Sequence, residues 1–159
     1  MIRPATPADV TEIANLIREL AEYEKLAHEV TFAESELREH LFGKRPYAEV
    51  LIAEQDDTHA IVGFAFFFHN FSTFCGKPGI YLEDLFVRPA HRGKGYGKAL
   101  LAALARLAID RNCARLEWAV LNWNTPSIEF YKSLGAKPQD EWTVYRLVDE
   151  PLEKLAKRS

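Results

Sequence analysis

Arg92-Gly93-Lys94-Gly95-Tyr96-Gly97 lies between a run typical of a strand and a run typical of a helix. Ile80–Val87, before it, is rich in aromatic and branched side chains, and residues 98–105, after it, are rich in alanine and leucine. Glycines let the backbone approach a ligand closely, and a helix N-terminus adds N–H donors and partial positive charge. The arginine and the lysine suit a multiply charged group. The hexapeptide therefore predicts a site for a pyrophosphate-bearing cofactor.

Two common glycine motifs do not fit this loop. The P-loop requires a Gly-Lys-Ser/Thr sequence that is absent here, and the dinucleotide fingerprint requires a third glycine where Lys98 or Leu100 stands. The remaining pattern is Arg-x-x-Gly-x-Gly. A tight turn without a ligand is the alternative reading of such a loop, but the preceding strand, the arginine and the following helix favour the cofactor site.

The same residues carry a resemblance to a known family. The segment from Leu85 to Gly97 resembles the acetyl-CoA-binding motif of the GNAT acetyltransferases, and the segment from Asn122 to Ala136 resembles the second motif of that family. Ile2-Arg3-Pro4-Ala5-Thr6 and Tyr81-Leu82-Glu83-Asp84 are similar to the diamine (spermidine/spermine) branch and to its thialysine-acetylating relatives. The resemblance covers nearly the whole chain.

Strand-like and helix-like patterns alternate along the middle of the chain, which predicts a mixed α/β domain with a central sheet. The patterns predict strands over residues 2–4, 50–54, 60–70, 80–87, 116–121 and 142–147, and helices over 6–24, 34–42, 95–111 and 126–134, with a short helix after Pro151. The resemblance implies a mostly antiparallel, twisted GNAT sheet. Its fourth and fifth strands splay apart around the cofactor, and about four helices flank it. Residues 1–159 are expected to form a single acetyltransferase domain.

The implied reaction is the attack of an amine on a thioester, which requires a neutral amine, donors for the oxyanion and a proton for the leaving thiolate. An alkyl amine has a pKa of about 10, so a base assists the reaction near neutral pH. By resemblance, Glu83 orients and helps to deprotonate the amine, and Tyr131 is the general acid. The alternative for Tyr131 is a core tyrosine between Ile128 and Leu134.

The resemblance also assigns the cofactor-binding residues: Leu85, Phe86, Val87, Arg92, Gly93, Lys94, Gly95, Tyr96, Gly97, Lys98, Asn124, Ser127 and Tyr131. Leu85 and Val87 would offer backbone groups to the pantetheine arm, whereas the glycine loop would hold the pyrophosphate. Asn124 would contact the arm or simply cap the next helix.

The expected substrate-binding residues are acidic or aromatic: Tyr23, Glu24, Glu83, Asp84, Asp140, Glu141 and Trp142. Carboxylates and aromatic rings attract a cationic chain. Strict strand alternation predicts that Glu83 and Asp84 point to opposite faces. Acids within an apolar strand are costly unless paired or functional. A solvated helix end and a solvated hairpin are the alternatives for Tyr23–Glu24 and Asp140–Trp142.

Composition narrows the class of protein. The 159 residues have a net charge of −3, and residues 1–60 hold 13 acidic and 6 basic side chains, whereas residues 61–159 hold 10 and 14. An anionic cofactor bound by the second part and a cationic substrate bound by the first would account for this split, as would chance acidity of surface helices. The overall charge argues against nucleic-acid binding. Two cysteines make no disulfide framework, which suits a reducing cytoplasm.

No apolar run long enough for a membrane span and no signal-peptide pattern occurs. The histidines have no metal-ligand spacing with the cysteines, so no metal site is expected. The aromatic run Phe64–Phe71 suits a central strand or a dimer face.

With this resemblance, the sequence is expected to encode a cytoplasmic N-acetyltransferase that moves acetyl from acetyl-CoA to a small primary amine by direct attack, and the resemblance implies a homodimer. The alternatives are acetylation of a protein or peptide amine and a CoA-binding sensor with little turnover.

Overall fold

The computed structural model describes residues 1–158, and these form two compact units, Met1–Ala119 and a second that begins at Val120. The strands of the first unit are β1 (Ile2–Pro4), β2 (Glu49–Glu54), β3 (Ile61–Ser72), β4 (Lys77–Val87) and β5 (Leu116–Trp118). Its α-helices are α1 (Val10–Tyr23), α2 (Glu34–Phe42) and α3 (Tyr96–Asp110). The second unit contains α4 (Thr125–Ser133) and α5 (Asp149–Ala156).

The five strands form one sheet in the order β1-β2-β3-β4-β5. The first three pairings are antiparallel, and only β4 and β5 run parallel, because α3 connects them and returns the chain to the same end of the sheet. The predicted mixed α/β fold with a mostly antiparallel sheet is therefore confirmed.

The fourth and fifth strands separate along their length. They pair only from Ile80 with Leu116 to Leu82 with Trp118, while β4 continues to Val87. Over residues 83–87 the side of β4 that faced β5 has no neighbouring strand in the sheet. This gap leaves backbone groups of β4 without strand partners, as the predicted splay requires, and the Val87 carbonyl accepts from the Arg92 Nε instead.

The core of the first unit lies on both faces of this sheet. The cluster on one face joins α1 and α2 to the sheet through Leu16, Leu37, Ile52 and Phe64, among others. Leu51 and Ala53 alternate with Ile52 along β2 and therefore point to the opposite face of the sheet. Helix α3 packs on that face, with Leu100 and Leu104 fully buried. The helices thus cover both faces of the sheet that contains β4.

The entry into α1 is held by a buried charge cluster. Arg3 makes a bidentate contact with Asp9 at 2.8 and 2.9 Å and approaches Glu54 at 3.2 Å. The Thr6 N–H donates to the same Asp9 carboxylate at 2.7 Å. The hydrogen bond from Arg3, together with that from Thr6, holds the pKa of Asp9 below its usual range. This cluster links β1, the start of α1 and the end of β2.

We expect Asp9→Asn to lower the free energy of unfolding by about 2–3 kcal/mol, because it leaves the Arg3 guanidinium with one carboxylate fewer in a partly buried position. Since the folded-state pKa of Asp9 is lowered, its contribution is present above about pH 4 and is lost as the pH falls through the folded value. Urea unfolding at pH 7 and at pH 3 measures both effects. Asp56→Asn is the matched control. The exposed Asp56 carboxylate pairs with the N-terminal ammonium, so its replacement should not measurably change the free energy of unfolding.

Two predicted elements require correction. No strand forms over 142–147 among the described residues, because a strand needs a partner for its backbone and the side-chain pattern does not supply one. The fifth strand ends at Trp118 rather than at residue 121 for the same reason. The described residues form five α-helices, and α5 corresponds to the short helix predicted after Pro151, although it begins earlier, at Asp149.

Candidate active site

The glycine loop leads into the N-terminus of α3 and has open space around its glycines. Gly93 and Gly95 have φ angles of +77° and +87°, in the left-handed region, and no atom lies within 4 Å of the position that a Cβ would take on either residue. The first N–H groups of α3 have no acceptor inside the helix, since the ladder begins with Ala99 donating to Gly95 at 2.9 Å. Lys94 and Lys98 are exposed on either side. These residues fit a pyrophosphate.

Gly95→Ala should raise the KM for acetyl-CoA at least tenfold and leave the KM for the amine unchanged, because a methyl group would occupy the open space proposed for the pyrophosphate and a positive φ disfavours alanine. Gly76→Ala is a matched control. Gly76 has a φ of +64° and equally open surroundings in the turn between β3 and β4, so it incurs the same backbone strain away from the loop. Steady-state kinetics at varied acetyl-CoA concentrations compare the two variants. Equal KM values for acetyl-CoA in Gly95→Ala and Gly76→Ala would contradict the assignment of the loop to cofactor binding.

The side chain of Arg92 turns away from the glycine loop. Its Nε donates to the Val87 carbonyl at 2.9 Å, and its guanidinium lies 4.7 Å from the ring centre of Tyr23 and 5.5 Å from that of Phe86. The structure therefore places Arg92 against the end of β4 and the end of α1. This contact joins Arg92, which was predicted to bind the cofactor, to Tyr23, which was predicted to bind the substrate.

The acidic pair of β4 occupies an irregularity of the strand. Phe66 lies opposite Asp84 and Phe67 lies opposite Leu82, so Glu83 is an extra residue with no partner across the ladder. Such a bulge redirects side chains and interrupts strict alternation. Strict alternation, from which we predicted that Glu83 and Asp84 point to opposite faces, is therefore interrupted at this point of β4. Glu83 is exposed and Asp84 is half-buried.

A pocket of about 280 Å³ lies beside Asp84 in the first unit. Its lining is largely apolar and comes from α1, from the segment that follows it and from β4: Ile17, Leu20, Ala21, Glu24, Leu26, Glu29, Val30, Thr31, Phe32 and Asp84. Glu24 and Asp84 are the half-buried acids of this lining, whereas Glu29 is exposed at its edge. The volume lies near the lower end of the range for small-molecule sites.

The two half-buried acids of this pocket, Glu24 and Asp84, have no ion-pair partner among the described residues. None of the ion pairs formed by residues 1–158 involves Glu24, Glu83 or Asp84. Burial, with the charges of Glu83 and Glu24 adding to it, raises the pKa of Asp84 to about 7, and burial also raises the pKa of Glu24. A bound ammonium would compensate these like charges and stabilise the ionised form of each acid.

Sequence reasoning missed Arg88, which fixes the end of β4 to α1. Its guanidinium donates to Glu12 at 3.1 Å, to Glu19 at 3.0 Å and to the Ile61 carbonyl at 2.8 Å. The signal was present in the sequence, because Glu12 and Glu19 lie seven residues apart and therefore share one face of the helix. These contacts hold the end of β4, from which the chain continues into the glycine loop.

In the second unit, α4 holds the residues of the second motif. The buried Asn124 is its N-cap, and the Asn124 Oδ1 accepts from the Ser127 N–H at 3.4 Å. Tyr131 lies in the last turn, where its ring is half-buried and 5.7 Å from that of Phe130. The Tyr131 carbonyl accepts from the Ala136 N–H at 3.2 Å, which closes the helix end around Gly135.

The last predicted substrate residues, Asp140, Glu141 and Trp142, form an exposed turn in which the Trp142 N–H donates to the Gln139 carbonyl at 3.2 Å. The structure thus brings Tyr23, Glu24, Glu83, Asp84 and Arg92 into one region of the first unit. Asn124, Ser127 and Tyr131 lie together on one helix of the second unit.

The sequence profile of the Acetyltransferase (GNAT) family matches residues 13–136. This chain belongs to that family. The acetyltransferase is 39% identical to the thialysine N-epsilon-acetyltransferase of Bos taurus over 98% of this chain and 96% of the relative. It is 33% identical to an L-ornithine N5-acetyltransferase of Arabidopsis thaliana over 98% of this chain and 87% of the relative. The predicted family, the predicted branch and the predicted enzyme class are confirmed.

A solved structure has a similar fold. The acetyltransferase matches an integron cassette protein of V. cholerae with a TM-score of 0.81 and 31% identity, over 99% of this chain and 98% of the other.

Among the described residues, no set of three or more histidine, cysteine or acidic side chains could hold a metal ion. No helix within residues 1–158 combines the length and apolarity needed to cross a bilayer.

Proposed function

We propose that this acetyltransferase moves the acetyl group of acetyl-CoA to a primary amine of a small cationic substrate, such as a diamine, a polyamine or a thialysine-like side chain. The observation that carries the proposal is the pocket of the first unit, in which Glu24 and Asp84 stand among apolar side chains without a cation. Carboxylates whose pKa values are raised by burial are stabilised by a positively charged ligand. The relatives named for thialysine and ornithine acetylation support the same class of substrate.

The shape of the pocket supports a short, flexible amine. Apolar side chains such as Leu20, Val30 and Phe32 would contact methylene groups, while the acids would contact nitrogen. The Tyr23 ring, beside Glu24, is already covered by the guanidinium of Arg92. A volume of about 280 Å³ suits an amine of modest size better than a folded protein surface.

The proposed roles of the residues follow from their chemistry. Asp84 holds the ammonium of the substrate, and Glu83, exposed beside it, accepts the proton that the amine loses, directly or through water. Tyr131 donates its hydroxyl proton to the departing sulfur. Bound acetyl-CoA supplies the thioester carbonyl, and the glycine loop with the open edge of β4 at Leu85 and Val87 positions it.

We propose direct transfer in a ternary complex. Cys75 lies in the turn between β3 and β4 and Cys113 follows α3, so neither belongs to the two motifs. A covalent acyl-enzyme would need a positioned nucleophile there. We further propose that both compact units make one catalytic domain, since the family match spans their boundary, and that the enzyme works as a homodimer in the cytoplasm, where unpaired cysteines persist.

A thiol-release assay with acetyl-CoA tests the proposal. The amines are diamines, polyamines, thialysine, ornithine, lysine, an aminoglycoside and a lysine-containing peptide. We expect turnover with the small cationic amines and little with the peptide. Preference for the peptide would establish a protein acetyltransferase instead. Binding of acetyl-CoA without turnover of any amine would establish a CoA-binding sensor.

A further inference from the structure

The guanidinium of Arg92 rests on uncharged groups. Its Nε donates to the Val87 carbonyl at 2.9 Å, and its Cζ lies 4.7 Å from the ring centre of Tyr23 and 5.5 Å from that of Phe86. None of the ion pairs formed by residues 1–158 involves Arg92, and its side chain is exposed. Arginine binds phosphate oxygens more strongly than a neutral carbonyl, because both partners are then charged. Arg92 would therefore exchange its present partners for an anionic group within reach.

The present contacts of Arg92 occupy two groups that the proposed reaction uses. The Val87 carbonyl lies on the edge of β4 that we propose for the pantetheine arm. The Tyr23 ring directly precedes Glu24, an acid of the amine pocket. An aromatic face that carries a guanidinium is suited to cations in general. Because the cation on the Tyr23 ring is Arg92, an ammonium that binds the same face must displace it.

The backbone that carries Arg92 is already fixed. The Arg88 N–H donates to the Val62 carbonyl at 2.8 Å, and the His91 N–H donates to the Arg88 carbonyl at 2.8 Å. The glycine loop begins at the next residue, Gly93. A change of side-chain rotamer at Arg92 is therefore enough to turn its guanidinium from β4 toward the loop, and the chain itself need not move.

We propose that Arg92 couples the binding of the two substrates by exchanging partners. In the free enzyme, its guanidinium covers the Tyr23 ring and occupies the Val87 carbonyl. When a pyrophosphate is bound at the glycine loop, Arg92 pairs with it instead, and the exchange uncovers the ring for an ammonium of the amine. Each substrate thereby raises the affinity of the enzyme for the other. The inference rests on the proposed function, because it requires a pyrophosphate-bearing cofactor and a cationic amine.

The size of the coupling follows from the fraction of molecules in which the ring is covered. If Arg92 covers the Tyr23 ring in about nine-tenths of the free molecules, uncovering the ring lowers the Kd of the amine about tenfold. Thermodynamic linkage requires the same factor for the Kd of the cofactor, compared with and without the amine.

Calorimetric titration with CoA tests the coupling without turnover, because CoA carries the pyrophosphate but no acetyl group. The Kd of putrescine should be about tenfold lower with saturating CoA than without it. Arg92→Gln should bind putrescine about tenfold more tightly than the wild type when CoA is absent, and CoA should then cause no further gain. Lys94→Gln is the matched control. It removes the same charge from an exposed side chain of the neighbouring loop, and without CoA it should bind putrescine like the wild type.

Tyr23→Leu tests the same exchange from the side of the ring. Arg92 loses a partner of the free enzyme in this variant, so CoA should bind about fivefold more tightly than to the wild type. The affinity for putrescine should no longer depend on CoA. Tyr23→Phe keeps the ring and should keep the coupling. If the ring served only in packing, Tyr23→Leu would weaken the binding of CoA or leave it unchanged, and either result would overturn the exchange.

The remaining outcomes separate this inference from the proposed function. Equal Kd values for putrescine with and without CoA in the wild type would overturn the coupling and leave the proposed function standing. A gain in Lys94→Gln as large as that in Arg92→Gln would show general charge repulsion and would also overturn the exchange on the ring. A wild type that binds CoA but binds no small cationic amine in either state would contradict the proposed function and this inference together.

Discussion

Replacing Asp84 with asparagine is expected to lower kcat/KM for diamines by about 100-fold and to leave the KM for acetyl-CoA unchanged. Asp84 is one of the two half-buried carboxylates of the pocket. A charge-assisted hydrogen bond to an ammonium contributes about 1.5–3 kcal/mol, which corresponds to a loss of about 10- to 150-fold and includes the expected value. Steady-state kinetics with putrescine-sized diamines measure the effect. Glu29→Gln is the matched control, because Glu29 lines the exposed edge of the same pocket and loses the same charge. A loss no larger than that of Glu29→Gln would contradict the role of Asp84.

The pH dependence of kcat/KM tests the role of Asp84 independently. Its pKa is raised to about 7 in the free enzyme, so the ionised form that binds an ammonium increases as the pH rises through this value. For the wild type, kcat/KM should therefore rise between about pH 6 and pH 8. Asp84→Asn should flatten this part of the profile, whereas Glu29→Gln should keep it.

The same shift has a consequence for stability. A carboxyl whose folded-state pKa is raised stabilises the fold fully below its unfolded value and loses that contribution as the pH rises through the folded value. At pH 8 the ionised Asp84 is therefore unfavourable in the folded protein without substrate. We expect Asp84→Asn to raise Tm at pH 8, by about 2–4 °C for each 1 kcal/mol gained. A variant that is more stable and less active is the signature of a residue retained for function.

Tyr131→Phe is expected to lower kcat by about 100-fold or more, since the loss of a general acid costs about that factor. The ring remains, so the KM for acetyl-CoA should stay near the wild-type value. Thiol release under saturating substrates measures kcat. Tyr47→Phe is the control, because it removes the same hydroxyl from a ring that is 62% exposed in the first unit. An unchanged kcat for Tyr131→Phe would assign the tyrosine to packing and leave another group as the acid.

The local elements were predictable because their signals are local. The helix over residues 34–42 has the predicted bounds, with Gly43 following its last residue. The glycine loop was also predictable, since a phosphate site made of consecutive N–H groups needs only glycine at the tight positions and a helix after them. The two positive φ angles at Gly93 and Gly95 are the structural form of that pattern.

The site residues were predictable as types but not as an arrangement. Sequence reasoning named Glu24 and Asp84, yet the pocket that joins them also needs Ile17 and Phe32 from segments that are distant in sequence from Asp84. The bulge at Glu83 escaped prediction, because it arises from the register of β4 against β3 and leaves no mark in the alternation of β4 itself.

By itself, the sequence determined the family, the order of strands and helices in the first unit and the cofactor loop. These depend on periodicity, on glycine positions and on short motifs, all of which act over a few residues. Only the tertiary structure decided that Glu24 and Asp84 share a pocket without a cation, that Arg88 fixes β4 to α1, and that residues 142–147 have no strand partner among the described residues. The reason is that burial, ion pairing and strand pairing depend on a second segment, and one segment of sequence does not specify where its partner lies.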